Sequence, residues 1–236
     1  MRQVPSYLII GDGRVARHFQ HYFKLLELNC IAWHRKQPIS LLNQYIENST
    51  HILILINDQA IDTFSQNHLK HSRAHRIHFS GSLVSDHAYG VHPLMTFNHN
   101  LYTLAEYHAI PLIIDHDAPD GAELLPGLPN QQIRLNKSFK AKYHALCVLS
   151  GNFSCLLWQK LFKSFEQEFQ IPKSIAQAYL IRQTQNLIAD DENALTGPLV
   201  RNDVITIEKN MAALDSDPFQ AVYHSFVSCY QKLNEG

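Results

Sequence analysis

The first 136 residues alternate short, strongly apolar runs with stretches in which apolar residues recur at helical spacing. The run HILILI at 51–56 is almost continuously apolar, as a strand covered on both faces must be, whereas residues 15–26 follow the helical period. Strands that alternate with helices predict parallel βαβ units. The predicted strands are 7–10, 30–33, 51–56, 76–79, 90–94, 111–115 and an edge strand at 132–135.

The pattern changes after residue 137 and becomes helical throughout. The first long stretch contains no proline and a single glycine, Gly151. The predicted helices are 138–169, 173–189, 199–214 and 217–233. The chain is therefore predicted to be α/β, with a Rossmann domain at 1–136 built on a doubly wound, mainly parallel sheet, and an all-α substrate or dimerisation domain at 137–236.

The motif Gly11-Asp12-Gly13-Arg14-Val15-Ala16 directly follows the first predicted strand and opens a helix. The first glycine permits a tight turn, the second lets the backbone approach a pyrophosphate, and the alanine allows close packing of helix on strand. The N-terminus of the helix faces the phosphates. The motif predicts dinucleotide binding; the alternative is a glycine-rich turn that has lost its ligand. The predicted cofactor-binding residues of the loop are Gly11, Gly13, Arg14, Val15 and Ala16.

The end of the second predicted strand bears on the choice of cofactor. NAD-specific sites usually carry an acidic residue there to bind the ribose hydroxyls. This strand instead ends in His34, Arg35 and Lys36, with no acid where one is expected. Basic side chains at this point favour the 2′-phosphate of NADP(H). The alternative is a solvated basic loop.

Polar residues also follow three later strands. Asn57 and Asp58 begin the helix after the third strand and are predicted to line the cofactor, while Ser80 and His92 end the next two strands. In open α/β sheets the ligand lies outside the carboxyl ends of the strands. Ser80, His92 and also His78 are therefore expected around the nicotinamide or the substrate. The alternative for each is a turn residue that bonds to nearby backbone groups.

Four polar residues of the helical half are candidates for the substrate site. His144 is the predicted general acid, because histidine titrates near neutrality, and Asn152 lies eight residues further along the same helix. Arg201 and Asp203 fall in the first turns of a later predicted helix and are expected to bind substrate. For Asp203, a favourable interaction with the helix dipole is a sufficient alternative.

The bulk composition excludes several classes of protein. A net charge of −1 and a pI near 6.9 provide no field for nucleic acid or an anionic membrane. Four cysteines without a C-x-x-C pair predict buried free thiols in a reducing compartment. The N-terminus lacks a signal peptide, and a cytoplasmic protein is expected. The group His68, His71, His75 and His78 runs from a helix end into a strand, which favours solvated surface histidines over a metal site.

The long helix carries more apolar residues than one buried stripe accommodates. Leu156, Leu157, Trp158, Leu161, Phe162 and Phe165 crowd one stretch of it. A domain of about one hundred residues leaves a large fraction of its surface exposed. We therefore predict a homodimer formed through the helical half. The alternative is packing of these residues on the Rossmann sheet.

Six stretches carry a resemblance over nearly the whole chain: LIIGDGRVARHF, ILILINDQAI, HFSGSL, GVHPLMTF, YHALCVLSGNF and LTGPLVRNDVITIEKNMAAL. The chain resembles Rossmann-like proteins whose C-terminal half is a helical domain of unknown function, distant relatives of pyrroline-5-carboxylate reductase and of deazaflavin-dependent NADP reductases. The resemblance implies a Rossmann domain, a helical dimerisation domain and a cleft between them.

One departure separates the chain from hydroxyacid dehydrogenases of the wider superfamily. Those enzymes use a lysine with an asparagine four residues later on the first long helix, and here Ala141, His144 and Leu146 stand at the corresponding positions. The function expected from the sequence is that of an NADP(H)-dependent oxidoreductase that transfers a hydride to or from a small carbonyl or imine. The alternative is a non-catalytic NADP(H)-binding sensor or assembly protein.

Overall fold

The computed structural model describes residues 4–234 and divides into two compact units. The first unit extends to Leu156 and the second begins at Leu157. The division falls later than the one predicted after residue 136. The reason is that the first turns of the long helix bond to the sheet unit, through Lys140 to Asp115 and through Tyr143 to His92.

A seven-stranded sheet forms the first unit, and all seven predicted strands are present in it. The strand order is β2-β1-β3-β4-β5-β6-β7, and neighbouring strands run parallel except for the antiparallel pair β5 and β6. The predicted fold class is confirmed. The strands are β1 Ser6–Ile10, β2 Asn29–Trp33, β3 His51–Ile54, β4 His75–His78, β5 Tyr89–Pro93, β6 Leu112–Asp115 and β7 Gln132–Leu135.

Both faces of the sheet are covered, and a separate apolar cluster fills each face. Because side chains alternate along a strand, Tyr7 and Ile9 of β1 enter one cluster, while Leu8 and Ile10 enter the other. The sequence predicted the first helix of this unit and the start of the third. The helices are α1 Arg14–Leu25, α2 Ile39–Glu47, α3 Asp58–His68, α4 Leu104–His108 and α5 Gly121–Leu124.

The remainder of the described chain is helical, as predicted. The long helix begins with a 3₁₀ turn, Lys137–Phe139, and changes to π-helical hydrogen bonding over Val148–Phe153. The helices are α6 Lys140–Cys147, α7 Ser154–Gln167, α8 Gln177–Ala189 after a 3₁₀ turn Lys173–Ala176, α9 Val204–Ala213 and α10 Phe219–Asn234.

Three expectations about local structure are wrong. The helix predicted at 199–214 begins only at Val204, because Asn202 has a φ of +51°. Cys155 and Cys229 are exposed rather than buried. His78, expected at the surface, is completely buried, because it is the last residue of an inner strand of the sheet.

The long helix also has an unusual exposed surface. The stretch Lys137–Gln167 is long and apolar enough to cross a membrane by length and composition alone, which is weak evidence of a membrane span. Several of its apolar side chains are exposed, and they recur every three or four residues. We call these residues the apolar stripe: Leu146, Leu149, Phe153 and Leu156. The cytoplasmic location stays a prediction.

Candidate functional site

The glycine loop between β1 and α1 contains one glycine that the fold itself requires. Gly11 has a φ of +130°, a region that residues with a side chain rarely adopt. A Cβ at this position would overlap the backbone carbonyl of Leu55 on the neighbouring strand connection. The Gly11 N–H donates to the Trp33 carbonyl at 2.9 Å, which fixes the loop against the end of β2.

The second glycine of the loop has no such structural requirement. Gly13 is the N-cap of α1 with an ordinary φ of −69°, and no described atom lies within 4 Å of a Cβ built on it. No side chain caps the helix, and its first turn contains no acid. The first backbone N–H groups of α1 are therefore available to an anion. Ala16, predicted to allow close packing, is completely buried, while Arg14 is exposed.

The basic segment lies after β2, beside the glycine loop. The pairing of Ile10 with Trp33 places the carboxyl ends of β1 and β2 at the same edge of the sheet. The His34 N–H donates to Gln37 Oε1 at 2.9 Å, and this turn leaves Arg35 and Lys36 exposed. Neither basic side chain has an ion-pair partner among the residues that the structure describes.

The polar residues at the start of α3 have structural roles of their own. The Asn57 side chain caps the helix by accepting from the Gln59 N–H at 3.0 Å. The Ser80 hydroxyl donates to Asp58 Oδ2 at 2.5 Å and accepts from the Leu83 N–H at 3.0 Å. The turn role that the sequence left open is therefore present for Ser80, while Asn57 caps a helix and Asp58 holds the Ser80 hydroxyl. Their predicted contact with cofactor or substrate stays a prediction.

His92, at the end of β5, meets two residues of the long helix. A hydrogen bond of 2.7 Å joins His92 Nδ1 to the Tyr143 hydroxyl, and the ring of His144 stands edge-on to that of His92 with centroids 5.6 Å apart. A Cβ on Gly81 would overlap the His144 ring and approach His92 Cδ2 at 3.0 Å. We call Gly81, His92, Tyr143 and His144 the histidine cluster. It brings together His92 and His144, which the sequence had proposed separately.

Burial controls the charge of this cluster. Burial, together with the smaller effects of the neighbouring His144 and Lys140, lowers the pKa of His92 to about 4. Burial also raises the pKa of Tyr143, with a hydrogen bond to Cys147 as the next cause. At neutral pH the Tyr143–His92 pair is therefore an uncharged hydrogen-bonded unit. Both half-buried helix residues, Tyr143 and His144, lie against the carboxyl ends of β4 and β5.

A second polar group beside the cluster was missed by the sequence analysis. Lys140 Nζ donates to Asp115 Oδ1 at 2.7 Å, and Asp115 Oδ2 accepts from the Gly90 N–H at 2.7 Å. Both charged side chains are buried. The available signal was the helical spacing, since Lys140 lies three and four residues before Tyr143 and His144.

His78 lies beside this ion pair in the sheet, because its register partner on β5 is Gly90. Its Nδ1 accepts from the Ser80 N–H at 3.2 Å, so the proton of the neutral ring is on Nε2. That atom is buried and has no hydrogen-bond partner among residues 4–234. Burial, followed by the charge of Lys140, lowers the pKa of His78 to about 4.

The predicted substrate residues of the helical half are exposed or have local structural roles. Asn152 is exposed in the π-helical segment, which interrupts the α-helical spacing that related it to His144. Asp203 is the N-cap of α9 and accepts from the Thr206 N–H at 3.1 Å, so the alternative interpretation as a helix-end residue holds for it. Arg201 is exposed in the second unit. A substrate role for Asn152, Arg201 and Asp203 stays a prediction.

Comparisons with known proteins agree with the architecture. Residues 115–229 match a domain of unknown function, DUF2520. A comparison with the curated proteins finds no match. Among solved structures, a candidate NADP oxidoreductase from Bacteroides fragilis has 15% identity and a TM-score of 0.77, with 97% of this chain and 98% of that chain covered.

Two further structures of the same fold contain a nicotinamide cofactor. A reductive aminase from Aspergillus terreus, in complex with NADPH and ethyl levulinate, has 14% identity and a TM-score of 0.65 over 99% of this chain and 95% of its own. A variant of the imine reductase from Myxococcus stipitatus, in complex with NAD+, has 13% identity and a TM-score of 0.63 over 99% and 96%. At these identities the likeness establishes the fold.

Proposed function

We propose that the protein is an NADP(H)-dependent oxidoreductase that reduces a small imine or carbonyl compound. The observation that carries the proposal is Gly13. Its backbone conformation is open to other residues, the space in front of it is empty of described atoms, and a serine or aspartate would cap the helix better. A glycine at this point is explained by a ligand that must approach the backbone closely.

The residues that would hold the cofactor lie at one edge of the sheet. The N–H groups of the first turn of α1 would bind the pyrophosphate, with Gly11 and Gly13 keeping the loop close to it. Arg35 and Lys36, exposed at the end of β2, would receive the 2′-phosphate. The strand order places β1 between β2 and β3, where the direction of the connections reverses, and open α/β sheets bind ligands at such points.

Bound NADPH would supply a hydride to the carbon of the C=N or C=O bond and leave as NADP+. The chain must supply the proton that the substrate nitrogen or oxygen takes up. We assign this proton to His144, since His92 is neutral in its buried site. The hydrogen bond between Tyr143 and His92 would hold the imidazole of His92 in one orientation beside the substrate. Two proteins of the same fold are an imine reductase and a reductive aminase, which favours the imine.

We also propose that a second copy of the chain covers the apolar stripe. The stripe lies at the end of the first unit, and the unit that follows it in the chain has almost no core of its own, since Ala176 and Val227 are the buried apolar ones among its described residues. A two-fold partner would present the same stripe and bury both at once. The apolar run that predicted a homodimer in the sequence is half-buried at Trp158 and Phe162 and exposed at Leu156.

The decisive experiment changes Gly13 to Val and measures NADPH and NADH binding by calorimetry. The fold accommodates this side chain, so the melting temperature should stay near that of the wild type, while NADPH binding should fall by about a hundredfold or more because the side chain blocks the pyrophosphate. Val84→Ala, at an exposed position of the same unit, is the control and should bind NADPH like the wild type. Unchanged NADPH binding in Gly13→Val would refute a cofactor at this loop.

A companion variant tests the choice of cofactor. Arg35→Ala should weaken NADPH binding by about tenfold or more, since one charge-assisted contact contributes roughly 1.5–3 kcal/mol. NADH binding should barely change. Equal losses for both cofactors would show that Arg35 does not contact the 2′-phosphate.

Turnover is tested with NADPH and a panel of cyclic imines, amine–ketone mixtures and keto acids at high enzyme concentration. Oxidation of NADPH that is lost in His144→Ala, with folding and NADPH binding intact, is the expected result. Tight NADPH binding without oxidation by any of these compounds would instead support the non-catalytic sensor.

A further inference from the structure

Two ion pairs connect the start of the long helix to the segment that begins at the end of β6, and they differ in burial. Lys137 Nζ lies 2.8 Å from Asp117 Oδ2, with side chains that are 27% and 57% exposed. Lys140 Nζ lies 2.7 Å from Asp115 Oδ1, with side chains that are 5% and 2% exposed. Burying two charges costs more than an apolar pair of the same size. The buried pair therefore needs a reason beyond attaching the helix to the sheet.

The sheet is shaped to receive this pair at one point. A Cβ on Gly90, the second residue of β5, would overlap Lys140 Nζ and lie within 3 Å of both Asp115 carboxylate oxygens. The backbone conformation of Gly90 does not itself require glycine, because its φ is not positive. The absent side chain leaves room for the ion pair directly over the strand. Lys140 is held by Asp115, whose other carboxylate oxygen accepts from the Gly90 N–H of the strand.

Fixing Lys140 also fixes the helix face beyond it. Residues three and four apart on a helix share one face, so Tyr143 and His144 project from the same side as Lys140. These two residues complete the histidine cluster by contacting His92 and Gly81. A displacement of the helix turn at Lys140 would move both of them relative to the end of β5.

The charges around His92 come from two elements. Tyr143, His144 and Lys140 face it from the long helix, and Asp58 acts on it from the start of α3. The positive charge of Lys140 opposes protonation of His92, in the same direction as burial. The ion pair thus bears on the charge of the cluster as well as on its geometry.

We propose that Lys140 is a positioning residue of the active site: paired with Asp115 over Gly90, it sets the helix turn from which Tyr143 and His144 reach His92. The expected effect on kcat rests on the proposed function, but the expected effect on the pKa of His92 can be measured without turnover. Lys140 itself is buried, and the proposal includes no contact between Lys140 and the substrate.

The test compares two double variants, one that removes both charges of the buried ion pair and one that removes both charges of the exposed ion pair. Lys140→Met with Asp115→Asn removes both charges together and leaves no buried charge unpaired, whereas Lys137→Met with Asp117→Asn makes the same change at the exposed pair. In the buried double variant the pKa of His92, followed by NMR of labelled histidine, should rise towards its ordinary value by a fraction of the whole shift, because burial is the main cause of that shift. The kcat should fall by roughly ten- to a hundredfold, with little change in the KM for NADPH, because the reacting groups are misplaced. The exposed double variant should match the wild type in both measurements.

Lys140→Arg separates charge from position. The guanidinium group retains the charge but is too broad to replace Nζ over Gly90. This variant should be impaired in kcat, and full activity in it would overturn the proposal. A lower melting temperature in the buried double variant with an unchanged pKa of His92 would also overturn it, since the pair would then be merely stabilising. If the wild type reduces nothing, the proposed function fails, while the His92 titration still decides the positioning role.

Discussion

The two compact units differ in how they bury apolar residues. The sheet unit encloses two clusters, one on each face of the sheet, built from residues such as Leu53 and Ile54 that are completely inaccessible to solvent. The helical unit leaves Ile188, Ile205 and Leu233 largely exposed. A unit of this size without an interior cannot offset the entropy of folding. The comparison teaches that the sheet unit is stabilised by its own core, whereas the exposed apolar residues of the helical unit support our proposal of a second copy of the chain.

The largest effect is expected from charging the apolar stripe. Leu149→Arg combined with Leu156→Arg would place unpaired charges in a self-complementary interface, twice over in a two-fold dimer. The dissociation constant should rise by about a hundredfold or more, since each buried unpaired charge costs several kcal/mol. Light scattering at micromolar concentration should therefore report a monomer.

The control for this experiment is Gln131→Arg, which adds charge at an exposed position of the same unit outside the stripe and should leave the dimer intact. A wild-type protein that is already monomeric would refute the proposed homodimer. The contrast between the units would then need another explanation.

A matched pair of truncations sharpens the comparison. Ile54→Ala in the sheet should lower the free energy of unfolding by roughly 2–5 kcal/mol, because it leaves a cavity in a closed core. Ile205→Ala on exposed α9 should cost less than about 0.5 kcal/mol if its surface stays in water. Denaturant titrations at two protein concentrations measure both variants. A loss at Ile205 that grows with protein concentration would place α9 in the interface between copies.

A smaller effect is expected from acid, and it originates in the sheet unit. His78 has a pKa of about 4 in the folded chain, below its ordinary value, so the unfolded chain binds more protons between about pH 6.5 and 4. Its contribution to stability is complete above pH 6.5 and is lost as the pH falls towards 4, by about 1.4 kcal/mol for each pH unit.

The variant His78→Asn isolates this contribution. Asparagine retains an acceptor for the Ser80 N–H but does not titrate, so the slope of unfolding free energy against pH should become shallower by that amount. Urea titrations between pH 7 and 5 measure the slope. The same slope in both proteins would mean that His78 is protonated in the folded state as well.

The sequence by itself determined the elements whose pattern is contained in neighbouring residues. The strand at 51–56 could be recognised from its unbroken apolar run, and the loop of Gly11 and Gly13 from its place between a strand and a helix. The long helix was evident from its periodicity and lack of proline. Short helices such as α4 and α5 were not, because four or five residues are too few for a period to be recognised.

Contacts between distant parts of the chain were decided only by the tertiary structure. Lys140 looked unremarkable without an asparagine four residues later, and its partner Asp115 is separated from it by 25 residues. Tyr143 and His92 are 51 residues apart, and neither has a local pattern that points to the other. Side-chain periodicity gives the face of a helix but not the sheet residue that it meets. That pairing follows from strand order and register, which is why the histidine cluster and the ion pair over Gly90 emerge only in the folded chain.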